Sequence, residues 1–145
     1  MKFPKTLAFL AALMVSLTSF QCEDFFYEYI TLINKSDETI YGVFYTTPYP
    51  VDELPFDVEA CFDTLGTRPF RIPTGMTYAK ECSFNENSKF RKRKRTYIMI
   101  VGQNTLDSLS KEEIIEKNIY DTLLVFTYKE LHEKNFQISY EGRKK

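Results

Sequence analysis

Tryptophan is missing from these 145 residues, histidine occurs once, and glycine only five times. Each shortage removes a class of chemistry. A phosphate-cradling loop needs several glycines close together so that backbone amides can converge on an anion. Gly42, Gly66, Gly75, Gly102 and Gly142 are scattered along the chain, which leaves no such loop. With His132 as the one imidazole, multi-histidine metal centres are out, and any histidine-based triad has a single candidate. No grouping of Cys, His and Asp has the spacing of metal ligands, so neither a metal nor a cofactor is expected. Neither sign of charge dominates: 19 Lys and Arg stand against 20 Asp and Glu. Such a balance gives no global attraction to nucleic acid, and no nucleic-acid partner is expected. Long apolar runs are missing too. The segment Leu7–Leu17 is free of charge for 11 residues, whereas a membrane-spanning helix needs about 20.

What is present begins with that same segment. Lys2 and Lys5 precede it and Ser19-Phe20-Gln21-Cys22 follows it, the layout of a secretory signal. Residues 1–21 are therefore expected to be removed. Their loss takes away two lysines and no acid, leaving a net charge of −3. Cys22 is the expected lipid acceptor and first mature residue, with an acidic tether over 22–25 and a single domain over 26–145. Phe20 and Gln21 depart from the small residues usual before a lipidated cysteine. The alternative is ordinary cleavage near Ser16-Leu17-Thr18 and a soluble secreted product. Cysteine arithmetic favours lipidation, because an exported chain meets oxidising conditions and Cys61 and Cys82 can then pair with nothing left over. The loop of 22 residues closed by that bridge would stabilise the fold by about 3 kcal/mol in the chain-entropy picture. Two separate buried thiols are the other reading of Cys61 and Cys82.

Thirteen Phe and ten Tyr favour strands. "FYEYITLIN" (26–34) and "TIYGVFYT" (39–46) read as strands joined by the turn chemistry of "KSDE", a hairpin. Prolines 48, 50 and 55 make the next stretch an irregular crossing. "FRIP" and "TYAKECSF" are short strands around Thr74-Gly75, and "TYIMIVG" (96–102) is a central strand. Ser110 and Glu113 form a capping box that opens a helix with Ile114, Ile115 and Ile119 on one face. "TLLVFTY" (122–128) is a strand, and Thr127 with Glu130 caps a second short helix. In "FQISYE", Phe136, Ile138 and Tyr140 share one face. The expected fold is mainly β: a β-sandwich or partly closed barrel of about six strands with two short helices.

The order "ITLINKSDETIY", "IMIVGQNTLDSLSKEEIIEKN", "LLVFTYKELHEKNFQISYE" resembles small uncharacterised lipoproteins of Bacteroides-type gut bacteria. The likeness covers about two thirds of the mature chain. It departs at Lys111 and Phe136, where the group often carries Trp. The resemblance implies export, a lipid anchor and a place in the outer membrane, facing periplasm or cell surface. It carries no activity, and Glu23-Asp24 after Cys22 is similar to that group's surface-export signal.

Few residues can carry chemistry. "SLSK" (Ser108 to Lys111) fits Ser-x-x-Lys, yet its companion motifs are absent and the same letters open a capped helix. His132 sits between charged neighbours and reads as a surface imidazole. The chain is accordingly expected not to be an enzyme. The densest feature is Arg91-Lys92-Arg93-Lys94-Arg95, five cations that repel one another and are expected in an exposed loop or strand edge. A solvated edge that discourages sheet-to-sheet pairing is one role for them. The other is an anion site for an acidic glycan, an acidic protein partner or a phosphorylated lipid, with Phe90 and Tyr97 as flanking stacking surfaces. Three functions stand: a lipid-anchored, non-catalytic envelope protein binding a glycan or protein partner; a secreted hydrolase in which Ser108, Lys111 or His132 converge; and an envelope inhibitor or structural protein.

Overall fold

A computed structural model describes residues 25–47, 57–62 and 69–143. The signal segment, Cys22 and the proline crossing lie outside the described residues. Alternating apolar and polar side chains in β1 (Phe25–Asn34) and β4 (Thr77–Asn85) bury one face of each strand. They pair antiparallel, and β7 (Gln137–Tyr140) lies parallel on the other side of β1, giving the order β4-β1-β7. The second sheet is antiparallel in the order β3-β2-β5-β6, built from β2 (Ile40–Thr47), β3 (Phe70–Ile72), β5 (Arg95–Gly102) and β6 (Thr122–Thr127). The two sheets do not close into a barrel, so the fold is mainly β and sandwich-like. Among the described residues there are seven strands and four short α-helices, against the about six strands and two short helices expected.

The expected hairpin is not formed: β1 and β2 belong to different sheets. The reason lies in Asn34, which is fully buried. Its amide nitrogen donates to the carbonyls of Glu38 (2.8 Å) and Ile72 (2.9 Å), while its oxygen accepts from the Ser36 amide (3.0 Å) and hydroxyl (2.6 Å). The side chain thus ties the corner to β3 of the opposite sheet and turns the chain across the sandwich rather than back along β1.

β5 explains the rest of the layering. Seven of its eight residues are buried, because both faces are covered. Ile98 and Ile100 face the first sheet among Ile30, Leu32, Phe84 and Ile138. Met99 and Val101 face the other way, into a cluster with Val43, Val58, Cys61 and Ile114. That second cluster is roofed by α3 (Lys111–Glu116) and a 3-10 turn (Val58–Cys61), with α2 (Gln103–Ser108) alongside. Helices of six residues are not stable alone, and here they hold through caps and this contact. The Ser110 hydroxyl accepts from the Glu113 amide (3.1 Å), as the sequence indicates, but the Glu113 carboxylate turns to Lys117 (2.5 Å).

The layering also separates the cysteines. Cys61 belongs to the helix-side cluster and Cys82, on β4, to the cluster between the sheets. Both are free and buried. The expected Cys61–Cys82 bridge is therefore replaced by two separate thiols, each on its own side of the β2-β5 sheet. Burial, helped by the nearby Asp57, pushes the Cys61 thiol up to about 12. Burial also raises that of Cys82, partly offset by the Thr46 hydroxyl 3.9 Å from its sulfur.

Candidate functional site

The strand register brings the starts of β1 and β5 and the ends of β2, β4 and β6 to one end of the sandwich, through the pairs Phe25–Asn85, Thr47–Arg95 and Arg95–Thr127. Two helices close that end: α1 (Ser88–Arg93), which carries most of the basic run, and α4 (Tyr128–Glu133). The Asn87 side chain accepts from the Lys89 amide (3.0 Å) and starts α1. The reciprocal capping box read from the sequence starts α4: Glu130 N–H donates to Thr127 Oγ1 (3.2 Å) and Thr127 N–H to Glu130 Oε2 (2.7 Å). The Thr127 amide and the Thr127 hydroxyl (2.9 Å) both donate to Glu130 Oε2 and hold that carboxyl below its ordinary value. At the far end of α4, Asn135 and Phe136 both adopt positive φ (50° and 56°), reversing the chain into β7. A bulky residue rarely takes that conformation. Phe136 is held there by its amide on the Leu131 carbonyl (2.8 Å) and its carbonyl on the Thr31 amide (2.9 Å).

Between α1 and α4 lies an open cleft of about 560 Å³. Its charged walls are Arg91, Lys92 and Lys129, its ring surfaces Tyr128 and His132, and Ser88 adds a hydroxyl. No carboxylate lines it among the described residues, although Glu133, one turn along α4, stands 3.7 Å from the Lys129 ammonium in an exposed ion pair. The Arg91 guanidinium sits 4.9 Å above the Tyr128 ring and 5.6 Å above Phe26. The Tyr128 ring in turn packs on Phe84 (5.0 Å), Phe136 (5.8 Å) and His132 (6.0 Å). Stacked on two rings, Arg91 is oriented in advance while its fork of donors stays partly exposed.

The basic run therefore divides, contrary to the expectation of a uniformly exposed loop or edge. Lys92 and Arg93 are exposed on the helix. Lys94 is half-buried over the Phe84 ring (5.1 Å), donates to the Ser83 carbonyl, and has its pKa lowered by burial. Arg95 begins the central strand and donates to the carbonyls of Lys92 and Lys94 (3.0 and 3.1 Å). Lys94 packs despite its charge because an aromatic face and a carbonyl replace part of its water. Of the two aromatics expected to flank the run, Phe90 is exposed but Tyr97 is 6 % exposed on the helix-facing side of β5, so it offers no stacking surface.

Sequence reasoning missed α4 as a wall of this site. Its capping box announced a helix, but Lys129 and His132 lie some forty residues from Arg91, and nothing local shows what that helix faces. A larger cleft of about 850 Å³ at the opposite end brings together Lys35, Asp37, Glu38, Ser108, Asp121 and Arg143. Its signs are mixed, and Asp121 and Glu38 are engaged by hydrogen bonds. Asp121 accepts from the Gly102 amide (2.6 Å) and the Thr105 hydroxyl (2.8 Å), and Glu38 from the Asn104 amide (2.7 Å). The three residues required to converge in a hydrolase are dispersed. Ser108 donates to the Asn104 carbonyl at that far end (2.7 Å), Lys111 lies over Phe62 (5.5 Å), and His132 is in the cationic cleft. Among the described residues, no three His, Cys, Asp or Glu come together to hold a metal, and no helix is long and apolar enough to cross a membrane.

No known protein family, curated protein or solved structure matches this chain.

Proposed function

We propose that this chain is a lipid-anchored, non-catalytic protein of the bacterial cell envelope that binds an anionic ligand in the cleft between α1 and α4. The ligand classes compatible with it are an acidic glycan, an acidic protein surface and a phosphorylated lipid. The observation that carries the reading is the cleft itself: Arg91, Lys92 and Lys129 line it without a carboxylate, and a stacked ring system holds Arg91 in place. A ligand oxyanion there gains charge-assisted hydrogen bonds from a pre-oriented guanidinium, and 560 Å³ is within the range of small-ligand clefts. The anchor reading rests on the signal-like segment and Cys22.

Two measurements test it. Intact mass and membrane fractionation of the native product are compared with a Cys22→Ala variant; an unmodified, freely soluble native product removes the anchor. For the cleft, the charge change is restricted to Lys92, Arg93 and Lys129, which are exposed. Reversing Arg91 or Lys94 would disturb packing as well. The triple Glu variant is expected to lose binding to polyanions with its circular dichroism unchanged. Retained binding sinks the reading.

A further inference from the structure

Three features compete for a further role: the mixed-charge cleft at the far end, the outward aromatic row Phe25, Tyr27 and Tyr29 on β1, and the position of the cationic cleft relative to Cys22. The last carries furthest. Cys22 and Phe25 are three residues apart, so no more than about 11 Å of chain separates the lipid attachment from the first residue of β1. That strand start belongs to the cleft's own end of the sandwich. Phe25 pairs with Asn85 two residues before the α1 cap, and the next residue, Phe26, stacks under Arg91 at 5.6 Å. With the anchor on Cys22, the first residue of β1 is held within about one Debye length of the bilayer surface, and the cleft belongs to that end of the fold. Exposed rings accompany them: Phe25 on β1 is 46 % exposed and Phe90 on α1 is 41 % exposed. Cations beside exposed aromatics suit the boundary between headgroups and acyl chains. The opposite end, with Asp37, Glu38, Asp121 and Glu141 against Lys35 and Arg143, has the sign that an anionic membrane repels.

We infer that the α1–α4 cleft seats the net-anionic phosphate headgroup of a lipid, as opposed to a zwitterionic one, in the membrane that holds the anchor, fixing the domain with this end down. Arg91, Lys92 and Lys129 contact the phosphate, the Tyr128 and His132 rings flank the rest of the headgroup, and Phe25 and Phe90 dip into the interface. This rests on the anion-site and Cys22 readings above and narrows the ligand to one class.

The described fold lies wholly within residues 25–143, so the test uses residues 22–145 with Cys22→Ala, which removes any contribution from the anchor. Binding is measured to vesicles of phosphatidylcholine alone and to vesicles containing 30 mole per cent phosphatidic acid (about a third of the lipid, chosen to give a strong anionic field). Soluble polygalacturonate serves as the acidic-glycan competitor. The expected result is binding to the phosphatidic acid vesicles only, weakened on the order of a hundredfold by Lys92→Ala, Arg93→Ala and Lys129→Ala together, with unchanged urea unfolding. Equal binding to both vesicles, an unaffected triple variant, or tighter binding to polygalacturonate overturns the inference. Native lipidated protein on the same vesicles should show Lys92 and Lys129 shielded from amine acetylation and Lys35 open to it; the reverse pattern overturns the orientation. Failure of the anchor reading is seen separately, as an unmodified Cys22 in the intact mass, because the vesicle measurement does not involve that residue.

Discussion

Two neighbours on β5 test the architecture directly. Ile98 and Met99 are both fully buried, yet they point into different clusters, one between the sheets and one beneath α3 and the 3-10 turn. In a two-layer sandwich only one of such a pair would be costly to truncate. Ile98→Val removes one methylene, worth about 0.8 kcal/mol of transfer free energy, and with a small residual void should cost about 1 kcal/mol. Met99→Ala removes three heavy atoms, about 2.4 kcal/mol of transfer, and with a cavity bounded by Val43, Val101 and Ile114 should cost about 3 kcal/mol. Because the side chains share no cluster, the double variant should lose about 4 kcal/mol, the sum of the two, and any departure from that sum reports coupling through the β5 backbone they share. That remains inside the usual total of 5–15 kcal/mol, so the variants should still fold. Urea unfolding followed by far-ultraviolet circular dichroism measures all three, with Val125→Ala, 46 % exposed on β6, as a control expected within about 0.5 kcal/mol. A Met99→Ala cost below about 1 kcal/mol, with the Ile98→Val cost intact, would refute the covered second face of β5.

The Asn34 corner gives a second prediction: Asn34→Ala leaves the Ile72 carbonyl and the Ser36 amide without their partner and should cost about 3 kcal/mol in the same assay. The divided basic run gives a third. Arg91→Ala should lose about 1–2 kcal/mol from its two ring contacts, whereas Lys92→Ala should stay within about 0.5 kcal/mol. The thiols give a fourth. A thiol reagent should titrate both Cys61 and Cys82 in the urea-unfolded, unreduced chain and neither in the native chain; an intact bridge would leave the unfolded count empty as well. The pH dependence follows from Cys61, whose unfolded thiol ionises near its ordinary 9.0 while the folded one waits until about 12. Stability from this group is therefore complete below pH 9 and falls as pH climbs from 9 towards 12. Between pH 8 and 10 the wild type should lose about 1 kcal/mol more than Cys61→Ala; equal slopes would contradict the buried neutral thiol.

Much of the local structure was legible from the amino acids because its causes are local. Phe136, Ile138 and Tyr140 share a buried face because alternation of two is a property of any extended chain. Thr127 and Glu130 cap α4 because their spacing alone lets each reach the other's amide. The unbroken apolar run "YIMIV" signalled a central strand, although which elements cover its two faces is not written there. Partnership was decided by packing across the molecule. "KSDE" offers good hairpin chemistry, but the buried amide of Asn34 finds the carbonyl of Ile72 and sends β2 into the other sheet. Cys61 and Cys82 are a plausible pair by count and spacing, yet a sheet stands between them. Five consecutive cations look alike in sequence, and only the rings of Phe26, Phe84 and Tyr128, drawn from three distant strands and helices, separate the ones that pack from the ones that face solvent. Periodicity and capping are read within a few residues of chain. A cleft is a meeting of surfaces, and its walls exist only once burial of the core has chosen which elements lie side by side.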